Sequence, residues 1–229
     1  MQEKSFGLSN NSLKIIAMLS MLIDHTGLMI FPQYKFLRII GRLAFPIFAY
    51  MIAEGCFHTR NRKRYFLLVA GLGIGCQAVY AFAAHHLYLN ILLTFTLSIA
   101  VIFSVDSFLK QKTRSSLAIA VITVSAVIFL TIIAPAVFEE QGFRVDYGFL
   151  GVFFPVAVYY ARTKNLKILS ATAVLSAMAF LNEIQIYSLL AIPLLYLYNG
   201  KRGKLNLKYV FYIFYPAHLA AIYLIDKMI

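Results

Sequence analysis

Charged side chains are scarce in this chain of 229 residues: Asp, Glu, Lys and Arg make up 13 % of it, whereas 61 % is hydrophobic. Soluble domains average about 25 % charged and about 45–50 % apolar residues. A chain this poor in charge has too little polar surface for a soluble fold. The composition therefore predicts a polytopic membrane protein.

Carboxylates are the scarcest charged groups, since 9 Asp and Glu stand against 21 Lys and Arg and give a net charge of +12. This excess does not indicate nucleic-acid binding, because the basic residues fall mostly in short loops between apolar runs and build no soluble basic face. Basic residues in such loops orient membrane spans. We therefore expect a lipid bilayer, and no nucleic acid, as a partner.

Cysteine is also rare, and Cys56 and Cys76 lie in apolar runs without CxxC spacing. We therefore expect neither a disulfide framework nor a zinc site. His85 and His86 are adjacent, but no carboxylate or cysteine accompanies them, so we expect no bound metal. The chain has no GxSxG, Walker or HExxH motif.

Apolar runs follow one another along the whole chain, and a span needs about 20 apolar residues. The nine predicted spans are 13–31, 37–57, 65–84, 90–109, 115–138, 147–161, 168–181, 186–198 and 209–225. The sixth, seventh and eighth runs are short, so they enter the bilayer partway or thin it locally. The predicted fold is all-α: a polytopic helical bundle of about nine transmembrane helices in one integral-membrane domain, 1–229.

Three glycines, Gly71, Gly73 and Gly75, recur in the third predicted span. Gly71 and Gly75 have the GxxxG spacing that is typical of close helix packing in membranes. No strand precedes these glycines and no third glycine has the dinucleotide spacing, so a nucleotide site is excluded. The pattern predicts close packing of this helix.

Lys and Arg concentrate in alternate connections of the nine-span scheme. One side receives the basic residues of 60–64, 110–114, 162–167 and 201–208, and the other receives Lys35, Arg144 and Lys227. Because cytoplasmic loops carry the excess of Lys and Arg, the N-terminus is predicted to be cytoplasmic and the C-terminus external.

Residues 13–58 carry ionisable groups in two adjacent spans, at a cost of about 2.5–3.5 kcal/mol each by insertion scales. These groups are Asp24, His25, Arg38, Arg42 and Glu54. Intramembrane charges usually face the bundle interior, so the stretch predicts a polar cavity between helices. The alternative is structural: Asp24 pairs with Arg42, and Arg38 snorkels to the interface.

His25 is the strongest candidate for chemistry, because a neutral imidazole can accept a proton from an amine or hydroxyl. Asp24 is its neighbour in sequence but lies about 100° away around a helix, so it need not touch the ring. The Arg42 guanidinium can bind a phosphate or a thioester oxygen. Pro46 is predicted to kink the second span.

Other polar groups in or beside the apolar runs are weaker candidates. Asn90 and Tyr147 begin spans and are expected to line the same cavity, and His218 follows Pro216 in the last span. Glu54 and the basic run that includes Arg60 and Arg62 are candidates for contact with a phosphorylated carrier. The alternative for the basic run is an orientation signal alone.

Five blocks of sequence carry a family resemblance: LKIIAMLSMLIDHTG, LRIIGRLAFPIFAYMIAEGCFHTRNRKRY, LNILLTF, DYGFLGV and FYPAHLAAIYLI. Together they resemble the TraX family, from the first span to the last. Members of that family are implicated in N-terminal acetylation of conjugative pilin. The family is also distantly similar to integral-membrane acyltransferases, which use a histidine in an early helix and cytoplasmic acyl-CoA.

The resemblance implies an acetyltransferase of the bacterial inner membrane that uses acetyl-CoA and no metal. The implied acceptor is an amine or hydroxyl, on pilin or on an envelope glycan or lipid. The expected catalytic residues are His25 as general base, Asp24, which orients it or balances charge, and Arg42, which stabilises the developing oxyanion. The expected substrate-binding residues are Arg38, Glu54, Asn90, Tyr147 and His218, and the expected cofactor-binding residues are His58, Arg60 and Arg62.

Two other functions fit the same buried charges. A transporter or flippase would use them as a proton relay, although no inverted repeat is evident. A non-catalytic assembly factor for a pilus or envelope complex would need no acyl donor at all.

Overall fold

Helices dominate the computed structural model, which describes residues 7–84, 88–204 and 208–228. The α-helices are α1 (Asn10–Met29), α2 (Lys35–Gly41), α3 (Ala44–His58), α4 (Arg62–Ala84), α5 (Ile91–Gln111), α6 (Arg114–Ile128), α7 (Ala134–Val137), α8 (Gly148–Tyr160), α9 (Lys164–Leu181), α10 (Ile192–Tyr196) and α11 (Lys208–Met228). A π-helical segment, Phe129–Ile133, joins α6 to α7, and a 3-10 helix, Glu183–Ala191, precedes α10. The two-residue strands β1 (Tyr88–Leu89) and β2 (Arg144–Val145) pair in parallel. The predicted all-α class is confirmed apart from these strands.

Polar side chains begin several of the longer helices by accepting hydrogen bonds from their first free N–H groups. The residues that cap helices in this way are Ser9 for α1, Asn90 for α5, Thr113 for α6 and Thr163 for α9. Thr113 also forms a reciprocal capping box with Ser116. These caps place the helix starts within a few residues of the polar-to-apolar transitions in the sequence.

The chain divides into two compact units by its internal contacts. The first unit comprises Met1–Met51 and Thr163–Ile229, and in it α1 packs against α2 and α11. The second unit comprises Ile52–Arg162, and in it α5 packs against α4, α6 and α8. The prediction of one integral-membrane domain stays a prediction.

Five segments of the described residues are long and apolar enough to cross a membrane. They are Asn10–Met29, Lys35–His58, Ile91–Gln111, Arg114–Val137 and Lys164–Leu181. The short run predicted at 168–181 is thus part of a helix of 18 residues, because α9 begins four residues earlier. Several apolar helices of this length indicate a membrane protein, as the composition predicted.

Four of the nine predicted spans are not among these five segments. The runs at 65–84 and 209–225 are the helices α4 and α11, whereas those at 147–161 and 186–198 belong to the shorter apolar segments Gly148–Tyr160 and Glu183–Tyr196. The 13 residues of α8 extend about 20 Å, less than the roughly 30 Å of a bilayer core. Five of the nine predicted spans are therefore supported among the described residues, and the full count of nine stays a prediction.

The second predicted span is broken into α2 and α3 at Arg42 and Leu43. The N–H groups of these two residues donate to carbonyls three residues earlier, at 3.1 Å for Arg42 to Ile39 and 3.3 Å for Leu43 to Ile40. Pro46 has no N–H for the Arg42 carbonyl four residues before it, so the α-helical ladder cannot continue there. The kink expected at Pro46 thus lies one turn earlier, and it leaves Arg42 at the C-terminal end of α2.

The glycine pattern of α4 packs differently from the prediction. A Cβ on Gly73 would lie 3.2 Å from the Leu93 backbone nitrogen and 3.3 Å from the Leu92 carbonyl carbon. At Gly71 and Gly75, by contrast, no heavy atom of the described residues lies within 4 Å of the Cβ position. Close approach to α5 therefore requires Gly73, and the GxxxG pair predicted to pack does not do so within the described structure.

Alanine substitutions in α4 should separate these glycines. We expect Gly73→Ala to lower the free energy of unfolding by about 1–3 kcal/mol, because backbone atoms of α5 must shift. Gly71→Ala and Gly75→Ala should raise it slightly, by up to about 1 kcal/mol, because alanine favours a helix interior. Thermal unfolding of the three variants in detergent measures the difference; equal losses at all three positions would contradict the packing described.

Candidate active site

Two histidines from distant parts of the sequence meet in the first unit. His25 lies on α1 and His218 on α11, and the His25 Nδ1 is 3.0 Å from the His218 Nε2. The His218 Nδ1 is 2.8 Å from the Phe214 carbonyl oxygen, one turn earlier on α11. Because only 4 % of His218 is exposed, the pair is shielded on the α11 side.

Aromatic rings hold His218 in place against α1. The Phe214 ring stacks on the His218 ring, with centroids 4.8 Å apart and an interplanar angle of 8°. Tyr215 meets the same ring edge-on at 5.7 Å. This packing fixes the plane of the imidazole and turns its Nε2 toward His25.

Asp24, the residue before His25 on α1, forms an ion cluster with Arg38 and Arg42. The Arg42 Nη2 donates to both Asp24 carboxylate oxygens, at 2.6 and 2.8 Å. The Arg38 Nη1 donates to the Asp24 Oδ2 at 2.7 Å and to the Asp24 backbone carbonyl at 3.2 Å. The structural ion pair that the sequence left open is therefore present, and Arg38 belongs to it.

The backbone of α2 allows this cluster to form. Arg38 and Arg42 are one turn apart at its C-terminal end, where the helix dipole favours cations. Gly41 is buried against Asp24, and a Cβ at this position would overlap the Asp24 carboxylate. The Ser20 hydroxyl donates to the Ile40 carbonyl and joins α1 to α2 beside the cluster.

The ion cluster carries a net positive charge, because one carboxylate faces two guanidinium groups. The Arg38 side chain is 24 % exposed and that of Arg42 7 %, so Arg38 is the more accessible cation. The arrangement can therefore attract an anion, or an oxygen on which negative charge develops.

Asp24 does not hydrogen-bond His25. Within the part of the chain that the structure describes, its carboxylate bonds to Arg38 and Arg42, and the ring partner of His25 is His218. Asp24 is close enough to act on the His25 ring electrostatically. Its expected role of orienting that ring has no contact to support it.

Asn90 and Tyr147 lie in the second unit, at the junction of the loops that precede α5 and α8. The Asn90 side chain caps α5 and donates to the Gly73 carbonyl at 2.9 Å and to the Gln77 Oε1 at 3.0 Å. Tyr147 precedes α8 in a left-handed conformation, with φ of 57°. That these residues line the cavity beside His25 stays a prediction.

The junction also contains a hydrogen-bonded turn before α8. The Thr94 hydroxyl donates to the Asp146 carbonyl at 2.9 Å, and the Tyr88 hydroxyl donates to the Asp146 carboxylate at 2.6 Å. Sequence reasoning missed Gln77 and Asp146 as partners here. These contacts support a structural role for the junction.

The basic run between α3 and α4 is only partly available to a ligand. Arg62 pairs with Asp106 of α5, which Lys110 also approaches at 3.1 Å, and its guanidinium lies over the Phe103 ring. Sequence reasoning missed Asp106, although it is the only carboxylate in α5. The Arg62 guanidinium is thus already paired, although its side chain is 36 % exposed.

Exposed cations flank Arg62 on both sides. Arg60, Lys63 and Arg64 are exposed, and the last two line a shallow depression of about 440 Å³ together with Asn61, Leu67 and Leu68. His58 is exposed and its Nε2 lies 3.5 Å from the Oε2 of Glu54, which is buried. The predicted Glu54 and His58 are thus neighbours, and the predicted Arg60 faces outward.

Metal binding was not expected from the sequence. Among residues 7–84, 88–204 and 208–228, no three side chains of His, Cys, Asp or Glu come together in a way that could hold a metal ion. His85 and His86 lie outside the described residues.

Most of the chain matches a known protein family. The family model described as "TraX protein" matches residues 9–226, which include α1, α2, most of α11 and the histidine pair. The chain belongs to the TraX family. The resemblance carried by the five sequence blocks is therefore confirmed.

Two proteins similar to this chain give further context. A protein of Dichelobacter nodosus described as "Probable fimbrial assembly protein FimC, serogroup H1" is 26 % identical over 241 residues, which cover 91 % of each chain. An uncharacterized protein of Rickettsia prowazekii (strain Madrid E) is 38 % identical over 52 residues, 23 % of this chain and 21 % of that protein. No solved structure matches the chain.

Proposed function

We propose that this TraX-family protein is an integral-membrane acetyltransferase that transfers an acetyl group from acetyl-CoA to an amine or hydroxyl. One observation supports this most: a pair of imidazoles, of which His218 is buried and His25 half-buried, lies beside an ion cluster of net positive charge, both in the first unit. A general base next to an anion-stabilising group is what acyl transfer from a thioester needs.

In the proposed reaction, His25 takes the proton of the acceptor as its nitrogen or oxygen attacks the thioester carbon. The carbonyl oxygen becomes an oxyanion, which the positive charge of Arg38 and Arg42 stabilises. The carbon–sulfur bond then breaks, and the proton on His25 passes to the CoA thiolate. The products are the acetylated acceptor and CoA, and His25 returns to its neutral form.

Within the ion cluster, the two arginines have different roles in the proposed reaction. Arg42 bonds to both oxygens of Asp24 and sets the position of the carboxylate. Arg38 is more exposed and contributes one nitrogen to the carboxylate, which makes it the better candidate for direct contact with the oxyanion. Asp24 then limits the positive charge of the site rather than orienting His25.

Binding of the CoA phosphates requires exposed cations. We assign their recognition to Arg60 with Lys63 and Arg64, since Arg62 is paired with Asp106. His58 is exposed beside them and remains a candidate contact. The leucines of the shallow depression offer apolar contacts to the rest of the donor.

The membrane arrangement belongs to the same proposal. Nine spans in the bacterial inner membrane, with a cytoplasmic N-terminus, would place the basic connections where acetyl-CoA is made. The acceptor is then the N-terminus of pilin or a hydroxyl of an envelope glycan or lipid. The description of the Dichelobacter nodosus relative as a fimbrial assembly protein supports a pilus-linked acceptor.

The same relative also supports a second candidate function, that of a pilus assembly factor without catalysis. Isothermal titration of the purified protein with CoA separates the two functions. The acetyltransferase binds CoA and labels an envelope fraction from radiolabelled acetyl-CoA, whereas an assembly factor does neither. A transporter would instead show proton-coupled uptake in proteoliposomes that is lost in Asp24→Asn.

Charge reversal should show whether the exposed cations bind the CoA part of the acetyl donor. We expect the double variant Arg60→Glu/Arg64→Glu to weaken CoA binding by about tenfold or more, equivalent to about 1.4 kcal/mol. The matched control is Lys112→Glu/Arg114→Glu, which reverses two exposed cations at the start of α6. Titration at fixed ionic strength measures both, and equal affinities would refute this assignment.

A further inference from the structure

A chain of hydrogen bonds runs from the backbone of α11 to the ring of His25. The Phe214 carbonyl lies 2.8 Å from the His218 Nδ1, and the His218 Nε2 lies 3.0 Å from the His25 Nδ1. A carbonyl oxygen can only accept a hydrogen bond. The proton of the first bond must therefore be on the Nδ1 of His218.

The second bond then has only one donor. A neutral His218 that is protonated on Nδ1 has a lone pair on Nε2, so this nitrogen accepts. The donor in the 3.0 Å contact is consequently the Nδ1–H of His25. A neutral His25 with its proton on Nδ1 has a bare Nε2, which is the nitrogen available as a base.

The neutral form of both rings follows from their surroundings. No carboxylate of the described residues hydrogen-bonds either imidazole, because Asp24 is taken up by Arg38 and Arg42. A protonated ring would add a second net positive charge next to the ion cluster, away from water. The neighbours of His218 on its own helix, Phe214 and Tyr215, bring no negative charge.

We propose that His218 is a positioning residue that fixes the tautomer of His25, and that the catalytic base is the Nε2 of His25. This rests on the proposed function for its catalytic meaning. The proton of the acceptor moves to the Nε2, and the Nδ1–H of the resulting imidazolium keeps its bond to His218. When the carbon–sulfur bond breaks, the same Nε2 proton goes to the CoA thiolate, and His218 never changes protonation.

This arrangement gives His218 the place that a carboxylate has in a Ser-His-Asp triad, where the third group selects the tautomer of the base. Here the selecting group is a neutral ring, and the Phe214 carbonyl fixes its own tautomer in turn. A neutral acceptor selects the tautomer without adding charge to a lipid-enclosed site. The inference moves His218 from substrate binding, as predicted, to the support of His25.

Nitrogen NMR of the full-length protein in lipid nanodiscs, labelled with ¹⁵N-histidine, tests this without any substrate. A ring nitrogen that carries a proton and one that does not have well-separated shifts. The His25 signals are assigned by their disappearance in His25→Gln. We expect His25 with a protonated Nδ1 and a bare Nε2. Observation of the proton on the Nε2 of His25 in the unsubstituted protein would overturn the inference.

Three variants probe the cause. His218→Phe keeps a ring beside Phe214 but has no acceptor, so His25 should lose its fixed Nδ1–H pattern. His218→Gln supplies an oxygen acceptor in place of Nε2 and should restore that pattern. Phe214→Leu removes the stacked ring but keeps the carbonyl, so the pattern should stay. An unchanged His25 pattern in His218→Phe would contradict the inference.

Kinetics add a second readout where acetyl transfer is measurable. We expect His218→Phe to lower kcat about 10- to 100-fold with little change in KM for acetyl-CoA. The variant changes the tautomer and orientation of His25 and leaves the binding of acetyl-CoA unchanged. His218→Gln should recover part of kcat, and no recovery despite a restored Nδ1–H would count against a positioning role. If the protein transfers no acetyl group, the proposed function fails while the NMR result still decides the tautomer.

Discussion

His25→Ala is expected to lower acetyl transfer by roughly 100- to 10,000-fold, the range that a positioned general base contributes. The loss should fall on kcat, because His25 acts on the acceptor proton and the cations assigned to CoA lie elsewhere in the sequence. Purified protein in proteoliposomes, with radiolabelled acetyl-CoA and an envelope fraction as acceptor, gives the measurement.

Leu28→Ala is the matched control for this variant. It lies one turn after His25 on α1 and is 53 % exposed, and its apolar side chain can neither transfer a proton nor form a hydrogen bond. We expect it to retain the activity of the unsubstituted protein. Full transfer by a folded His25→Ala protein would mean that this imidazole is not the base.

The individual residues of the site were easier to predict than their partners. His25 and His218 both stand out, because an imidazole in an apolar run is costly unless it has a use. Their contact spans 193 positions of sequence and depends on the packing of α1 against α11, which no local pattern reports. The partner of Arg62 was missed for the same reason, since Asp106 lies on another helix.

Asp24 shows why adjacency in sequence is a poor guide to contacts within a helix. It stands next to His25, but neighbouring helical residues point about 100° apart, so the carboxylate turns to α2 and the imidazole to α11. The spacing of Arg38 and Arg42, one turn apart, was the better indication, because it brings both guanidinium groups to one side of α2. Helical geometry thus indicated the partners of Asp24, whereas its position next to His25 did not.

Helix type was predictable from composition, whereas helix length was not. The run at 168–181 looked short because Lys164 and Lys167 were counted with the preceding loop, yet they form the first turn of α9. The run at 186–198 is divided between the end of a 3-10 helix and the short helix α10, and an apolar pattern does not reveal this change in hydrogen-bond spacing. In the second span, the position of Pro46 was known, but the break falls where its missing N–H is needed, at Arg42.

Asp24→Asn should be the most destabilising single change in the ion cluster. It removes the negative charge and leaves the guanidinium groups of Arg38 and Arg42 facing each other in a buried site. Breaking a buried charge pair by removing one partner costs about 3–5 kcal/mol. We expect a loss of this size in the free energy of unfolding, measured by chemical denaturation in mixed micelles.

Arg38→Met provides the comparison, because it leaves Asp24 and Arg42 as a neutral pair and retains most of the side-chain volume. Its loss should be clearly smaller than that of Asp24→Asn, although both variants break the same 2.7 Å bond. The double variant should be less destabilised than the sum of the two single variants, since removing Arg38 also removes the repulsion. Equal losses in the two single variants, or strict additivity, would show that net charge does not govern this cluster, and with it the anion-stabilising role proposed for Arg38 would fall.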